Sequence, residues 1–165
     1  MPSWAINSTK LSNYIKLKKM VETLNNAETA QLGIGAVSSS LLSREGRIKI
    51  VNEIIKEIAL RGREFFLSKK DADMAYIFQV NGRLYMHNEY NKKDMCLSTK
   101  NGYPPKHWHH GGTLWGLTKD FKDFISTGEK SNHNHGYGGL LCPHWGYPET
   151  DMKAIQEKAV SLGYL

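Results

Sequence analysis

Asn81-Gly82 is the pair that most constrains this chain. It sits between two runs, Tyr76–Val80 and Arg83–His87, whose apolar residues recur with a period of two. Both central positions of a two-residue hairpin turn need positive φ, which asparagine and glycine tolerate best. The pair predicts a β-hairpin, with Tyr76, Phe78 and Val80 on one face and Ile77 and Gln79 on the other. A third strand around Met95–Ser98, after the polar tip Asn88–Asp94, would complete a meander. A second Asn-Gly at 101–102 then turns the chain toward Tyr103-Pro104-Pro105.

Helical spacing flanks this segment on both sides. Ser8 or Thr9 caps a first predicted helix to about Asn25, with Leu11, Tyr14, Ile15, Lys18, Val21 and Leu24 inward. Residues 26–43, rich in glycine and serine, read equally as a weak helix or a connection. A long helix is expected from about Arg44 to Leu67, on the spacing of Ile48, Val51, Ile55, Ile58, Gly62 and Phe65. Gly62 inside it either permits a close crossing or marks a break before Arg63. Thr113 is expected to cap the next helix, whose stripe is Leu114, Leu117, Phe121, Phe124 and Ile125, with Gly128 as its stop. A last helix runs from about Pro148 or Thr150 to Leu162, Met152, Ile155, Ala159 and Leu162 facing inward and Gly163 ending it. The order is helix, helix, three strands, helix, helix. Runs of one type rather than alternation predict an α+β fold, with helices over one face of a small antiparallel sheet.

At 165 residues the chain suits a single domain. It divides into a basic helical part (1–70), a β-meander (71–100) and a histidine- and aromatic-rich part (101–165). No apolar run approaches the ~20 residues of a membrane helix, and MPSWAINSTK lacks the layout of a signal peptide. Cys96 and Cys142 alone make no disulfide scaffold, so a cytoplasmic setting, and no membrane, is expected. The net charge of +6 lies in residues 1–70, which carry twelve Lys/Arg against six Asp/Glu. That excess points to an acidic partner, nucleic acid or a host protein surface, or else to a solvated face with Glu45–Lys49, Lys49–Glu53 and Glu57–Arg61 as i,i+4 pairs. Nothing in the sequence fixes the oligomeric state.

Six of the seven histidines fall between 107 and 144. His107 and His109, and likewise His133 and His135, project to one side if locally extended. With His144 or Cys142 they offer donors for a divalent metal, zinc or magnesium. Against this, the acids nearby in sequence are only Asp120, Asp123, Glu129, Glu149 and Asp151, a thin supply for the general base of a hydrolytic metal site. The order His109-His110, Asn132 or Asn134, His144 is similar to that of an HNH-type metal nuclease. Its spacing departs, because a whole helix separates His110 from Asn132. The other reading is recognition without a cofactor. Lys106, His107, Trp108, His109, His110, Gly111, Gly112 and Thr113 lead into a helix start, where outward amides and imidazoles suit a phosphate or carboxylate. The lysine of a P-loop is missing there. Tyr85, Tyr90, Tyr103, Trp108, Trp115, Tyr137, Trp145 and Tyr147, with Lys92, Lys93, Lys100 and Lys106, add rings and charge for a nucleotide or single strand, unless the rings are core.

Five stretches resemble a group of small bacteriophage and prophage proteins: Asn81–Tyr85, His110–Leu114, Asp123–Gly128, Trp145–Tyr147 and Ala159–Gly163. The likeness spans roughly residues 48–165, and His107, His133, His135 and His144 lie outside the shared pattern. The resemblance implies phage origin and no particular chemistry. The expectation is therefore an accessory protein that binds nucleic acid, a nucleotide or a host protein, host-defence components included, without catalysis. A histidine-dependent metal nuclease is the alternative.

Overall fold

The computed structural model describes residues 42–98, 103–130 and 139–165. Over these residues the fold is α+β. The order is α1 (Arg44–Ala59), β1 (Tyr76–Val80), β2 (Arg83–Asn88), β3 (Lys93–Cys96), α2 (Gly111–Thr127), a single 3₁₀ turn (Pro143–Trp145) and α3 (Glu149–Ser161). Three α-helices stand here against the four expected, one before the meander and two after it. The helix expected over 8–25, the 26–41 connection and the Asn101-Gly102 turn lie outside the described residues.

Helix α1 is the element on which the others converge, packing against α2, α3 and β1. Ser43 Oγ caps it by accepting from Gly46 N at 3.1 Å, satisfying one of the amides a helix start leaves open. Val51, Ile54, Ile55, Ile58 and Ala59 recur at helical spacing and are fully buried. Arg47, also buried, donates through Nε to Ile125 O at 2.9 Å and through Nη1 to Leu42 O. Ile125 lies in the last turn of α2, where carbonyls lack helical partners and the dipole favours a cation. A charged side chain on the inner face of α1 thereby ties two helices together.

The helix expected to reach Leu67 stops at Ala59. Gly62 adopts φ 52°, and a Cβ there would lie 2.7 Å from the Tyr147 ring. The helix has already ended when the chain reaches Gly62, which turns before Arg63 and allows the close approach of Tyr147. Tyr147 Oη donates to Ile58 O at 2.9 Å and accepts from Phe65 N at 3.1 Å. Burial pushes the phenol's pKa up to about 12. Phe65 stacks on Tyr147, and Phe66, at φ 66°, turns fully into the core.

The meander forms as read, in the order β1-β2-β3 and antiparallel throughout. Asn81 and Gly82 take φ 49° and 76°. Ile77, Leu84, Met86 and Met95 face the core; Tyr76 and Val80 are exposed on the opposite face. β3 covers Lys93–Cys96, two residues earlier than expected. Its start is set by Asn88, buried, whose Oδ1 accepts from Tyr90 N and Asn91 N at 2.9 and 3.1 Å. The outer edge of β1 is met by Asn52 of α1, which accepts from Ile77 N at 2.7 Å and donates to Ile77 O at 2.9 Å.

Helix α2 begins at Gly111 with His110 in the cap position, so Thr113 lies in the first turn and is not its cap. Gly128, at φ 79°, ends it by donating to Phe124 O at 2.9 Å. In α3, Ile155 and Ala159 are buried, with Met152 and Leu162 only partly so. Tyr164, beyond Gly163, is fully buried against Phe121 and Phe124. No helix among the described residues is long and apolar enough to cross a membrane.

Tyr147→Phe keeps the ring and removes the hydroxyl, leaving Phe65 N without its acceptor and taking one donor from Ile58 O, which still accepts from Arg61 N. The expected cost is about 1–3 kcal/mol, read as a lower urea midpoint at an unchanged denaturant slope.

Candidate functional site

The β2–β3 turn and the start of α2 meet. Glu89, held by the turn that Asn88 organises, is 2% exposed. Its Oε1 lies 2.8 Å from His110 Nε2. The contact is at ion-pair distance without the straight approach of a regular hydrogen bond, and Glu89 Oε2 is buried with no partner. Aromatic rings hold the imidazole from two sides: Phe66 at 5.1 Å and Trp108, edge-on, at 5.4 Å. Trp108 is fixed in turn by an Nε1–H bond to Gly111 O at 2.9 Å and by Trp115 at 5.2 Å.

Beyond His110 opens a cleft of about 170 Å³. Arg63, Phe65, His110, Gly111, Gly112, Thr113, Leu114 and Trp145 line it. Arg63 stands over the Phe65 ring at 5.4 Å and has no carboxylate partner among the described residues. Gly146 makes room for it, since a Cβ there would come within 2.8 Å of Arg63 Nη1. His110 makes no side-chain capping bond, so the first amides of α2 face the cleft unanswered by their own cap. A guanidinium and a helix start, with no carboxylate in the lining, make a cavity suited to an anion.

The expected binding residues divide. His110, Gly111, Gly112 and Thr113 come together at the cleft; Lys106, His107 and His109 are exposed outside its lining, and Trp108 is half-buried behind His110. His109 turns to the β2–β3 loop, 3.3 Å from Asn91 Nδ2 and beside Tyr90. Among the described residues no group of three or more His, Cys, Asp or Glu is arranged to hold a metal. His109 and His110 point to separate surroundings, and His107 is exposed. His133 and His135 lie outside the described residues, and His144 falls in the 3₁₀ turn.

Two residues of the site escaped the sequence reading. The acids nearest the histidines in the chain do not include Glu89, which arrives from the β2–β3 turn. Arg63 was one of twelve basic residues with nothing to distinguish it until Gly62 is placed under Tyr147. The remaining charge of α1 and its exit is largely answered internally. Arg61 pairs with Glu57 as expected and also with Asp151 at 3.5 Å, Lys69 meets Glu64 at 2.9 Å, and Glu53 is met by Lys56 rather than by Lys49. Of the aromatics, Trp115 and Trp145 are core, and Tyr90 and Tyr103 are exposed.

The remaining described histidine, His87, sits in a separate charge cluster on the sheet. Its Nδ1 and Nε2 lie 3.0 Å from Asp94 and Asp73, and Lys92 pairs with Asp71 and Asp73 at 2.8 and 2.7 Å. Burial works against charging His87, but the bonds to Asp94 and Asp73 outweigh it, raising the imidazole's pKa. The Lys92 and Ser68 bonds lower Asp71 to about 2. Lys92, then His87, lowers Asp73.

The profile of a protein family described as YoqU matches residues 42–165. An SPbeta prophage-derived protein YoqU of Bacillus subtilis (strain 168) is 28% identical over 119 residues, covering 72% of this chain and 82% of that protein. No solved structure matches the chain.

The raised His87 pKa sets the sign of a pH dependence. Its stabilisation is fully present below the unfolded value near 6.5 and is lost as pH rises through the folded value. Chemical denaturation between pH 6 and 9 should show stability falling across that window in the natural protein, and His87→Gln should flatten the fall. The lowered aspartates act at the other end, their contribution disappearing as pH drops from about 4 toward 2.

Proposed function

The chain belongs to the YoqU family, and on that premise we propose that it is a small phage accessory protein that works by binding a phosphate-bearing ligand. The ligand is a nucleotide, or a nucleic-acid end presenting its phosphate to the cleft at the start of α2. One observation carries this reading: Arg63, without a carboxylate partner among the described residues, shares a carboxylate-free cleft with the uncapped amides of Gly111–Thr113. A buried or paired arginine would argue only for structure. This one is held at its place by Phe65 and by the space at Gly146.

The cleft is smaller than the ~300 Å³ at which drug-sized pockets begin. It therefore suits a phosphate group, with the rest of the ligand extending outside. Exposed Tyr90, on the turn that carries Glu89 and beside His109, supplies ring surface for a base. Two of the stretches that carry the phage resemblance, His110–Leu114 and Trp145–Tyr147, contribute to this one cleft, which supports a shared binding role over a purely structural one.

Calorimetry with nucleoside mono-, di- and triphosphates tests the reading, beside mobility assays with short single strands bearing a 5′-phosphate or a 5′-hydroxyl. Binding should depend on the phosphate, and Arg63→Ala should weaken it about tenfold or more, about 1.4 kcal/mol. Equal binding of the phosphorylated and unphosphorylated strands, or a protein partner captured with no affinity for any phosphate ligand, would sink it.

A further inference from the structure

We propose that His110 is a phosphoryl acceptor, its Nδ1 taking a phosphoryl group from an acyl phosphate or a nucleoside triphosphate within the cleft. The inference rests on the phosphate-binding reading and adds covalent chemistry to it.

The imidazole is oriented for this from behind. Nε2 is sealed from solvent 2.8 Å from Glu89 Oε1, while the ring lines the cleft. The contact is not a regular hydrogen bond, so the carboxylate acts through its charge: at 2.8 Å it favours the proton on Nε2 and leaves the lone pair on Nδ1 of a ring that lines the cleft. This is the orienting arrangement of a nucleophile or base backed by a carboxylate. Glu89 is 2% exposed and its second oxygen has no partner. Burying a carboxylate that incompletely is poorly explained by stability alone. It is explained if the carboxylate must balance positive charge that appears on the ring.

The position in the helix supplies the other half. A capping side chain ordinarily places an oxygen on the second or third amide of the helix. His110 occupies the cap and places none there. A phosphoryl group on its ring would bring oxygens to that vacated place, against the amides of Gly112 and Thr113, with Arg63 across the cleft. Phe66 and Trp108 confine the ring, which limits the conformational cost of the reaction.

In the step, the Nδ1 lone pair attacks the terminal phosphorus and an N–P bond forms. The bond from phosphorus to the bridging oxygen breaks, and its electron pair leaves on the carboxylate or the nucleoside diphosphate. No proton is transferred. Nε2–H stays on the ring, and the positive charge of the phosphorylated imidazole is met by Glu89.

The full-length protein is incubated separately with acetyl phosphate and with Mg²⁺-ATP, then read by intact mass, peptide mapping and ³¹P NMR. One acid-labile, base-stable phosphoryl group at His110 is expected from at least one donor. It should be absent in His110→Gln, a variant whose fold is checked by circular dichroism. Glu89→Gln should slow its formation by about tenfold or more at saturating donor. No adduct from either donor, an acid-stable adduct, or modification of His107 or His109 at the same rate overturns the proposal. Phosphate ligands bound without any adduct remove this inference and keep the binding function. Neither binding nor adduct removes both.

Discussion

The contact on which the site depends is the one between Tyr147 and the exit of α1. A helix that ran on to Leu67 would carry Arg63 around its own surface and keep Phe66 in a regular stripe. The Tyr147 hydroxyl instead takes the carbonyl of Ile58 and the amide of Phe65, and its ring occupies the space over Gly62. That closes the turn, sends Phe66 into the core beneath His110, and leaves Arg63 at the mouth of the cleft. Fold and site thus share one joint. Trp145, Gly146 and Tyr147 work on it together: the first lines the cleft, the second makes space for a guanidinium, and the third fixes the turn.

The elements were legible where a local signal coincides with burial. Asn81-Gly82 specified the hairpin because positive φ at two successive positions suits few residue types. The α2 stripe was legible because Leu114, Leu117, Phe121, Phe124 and Ile125 are all buried. The two helix boundaries that differ most have different causes, one tertiary and one local. Residues 60–67 continue the helical apolar spacing of α1, and the distant Tyr147 takes up groups that the break exposes. Thr113 has the better capping side chain, yet Gly111, at φ 81°, lets the helix begin three residues earlier, with His110 in the cap position. Propensity yields at the exit of α1 to a partner far away in the chain, and at the start of α2 to a glycine next to the cap.

The histidine-rich stretch shows the same limit for chemistry. Adjacent histidines in sequence suggested a shared metal, whereas His109 faces the β2–β3 loop and His110 faces inward. The useful partner of His110 is an acid from another element, and pairs of that kind leave no spacing pattern to read. Basic charge was similarly legible in amount and not in role. Arg47 is a buried tie between helices and Arg61 joins α1 to α3, so charge in the described helical segment bears on architecture as much as on partners.

Asn52 carries a consequence for how this molecule can meet others. Its carboxamide occupies both backbone groups of Ile77 that would pair with an incoming strand, and open strand edges are where polypeptides join by backbone alone. The sheet is closed to extension near the start of that margin, while the opposite margin opens on the charged pair Lys93 and Asp94. Recognition by this fold is thereby steered away from sequence-blind chain addition and toward specific side chains.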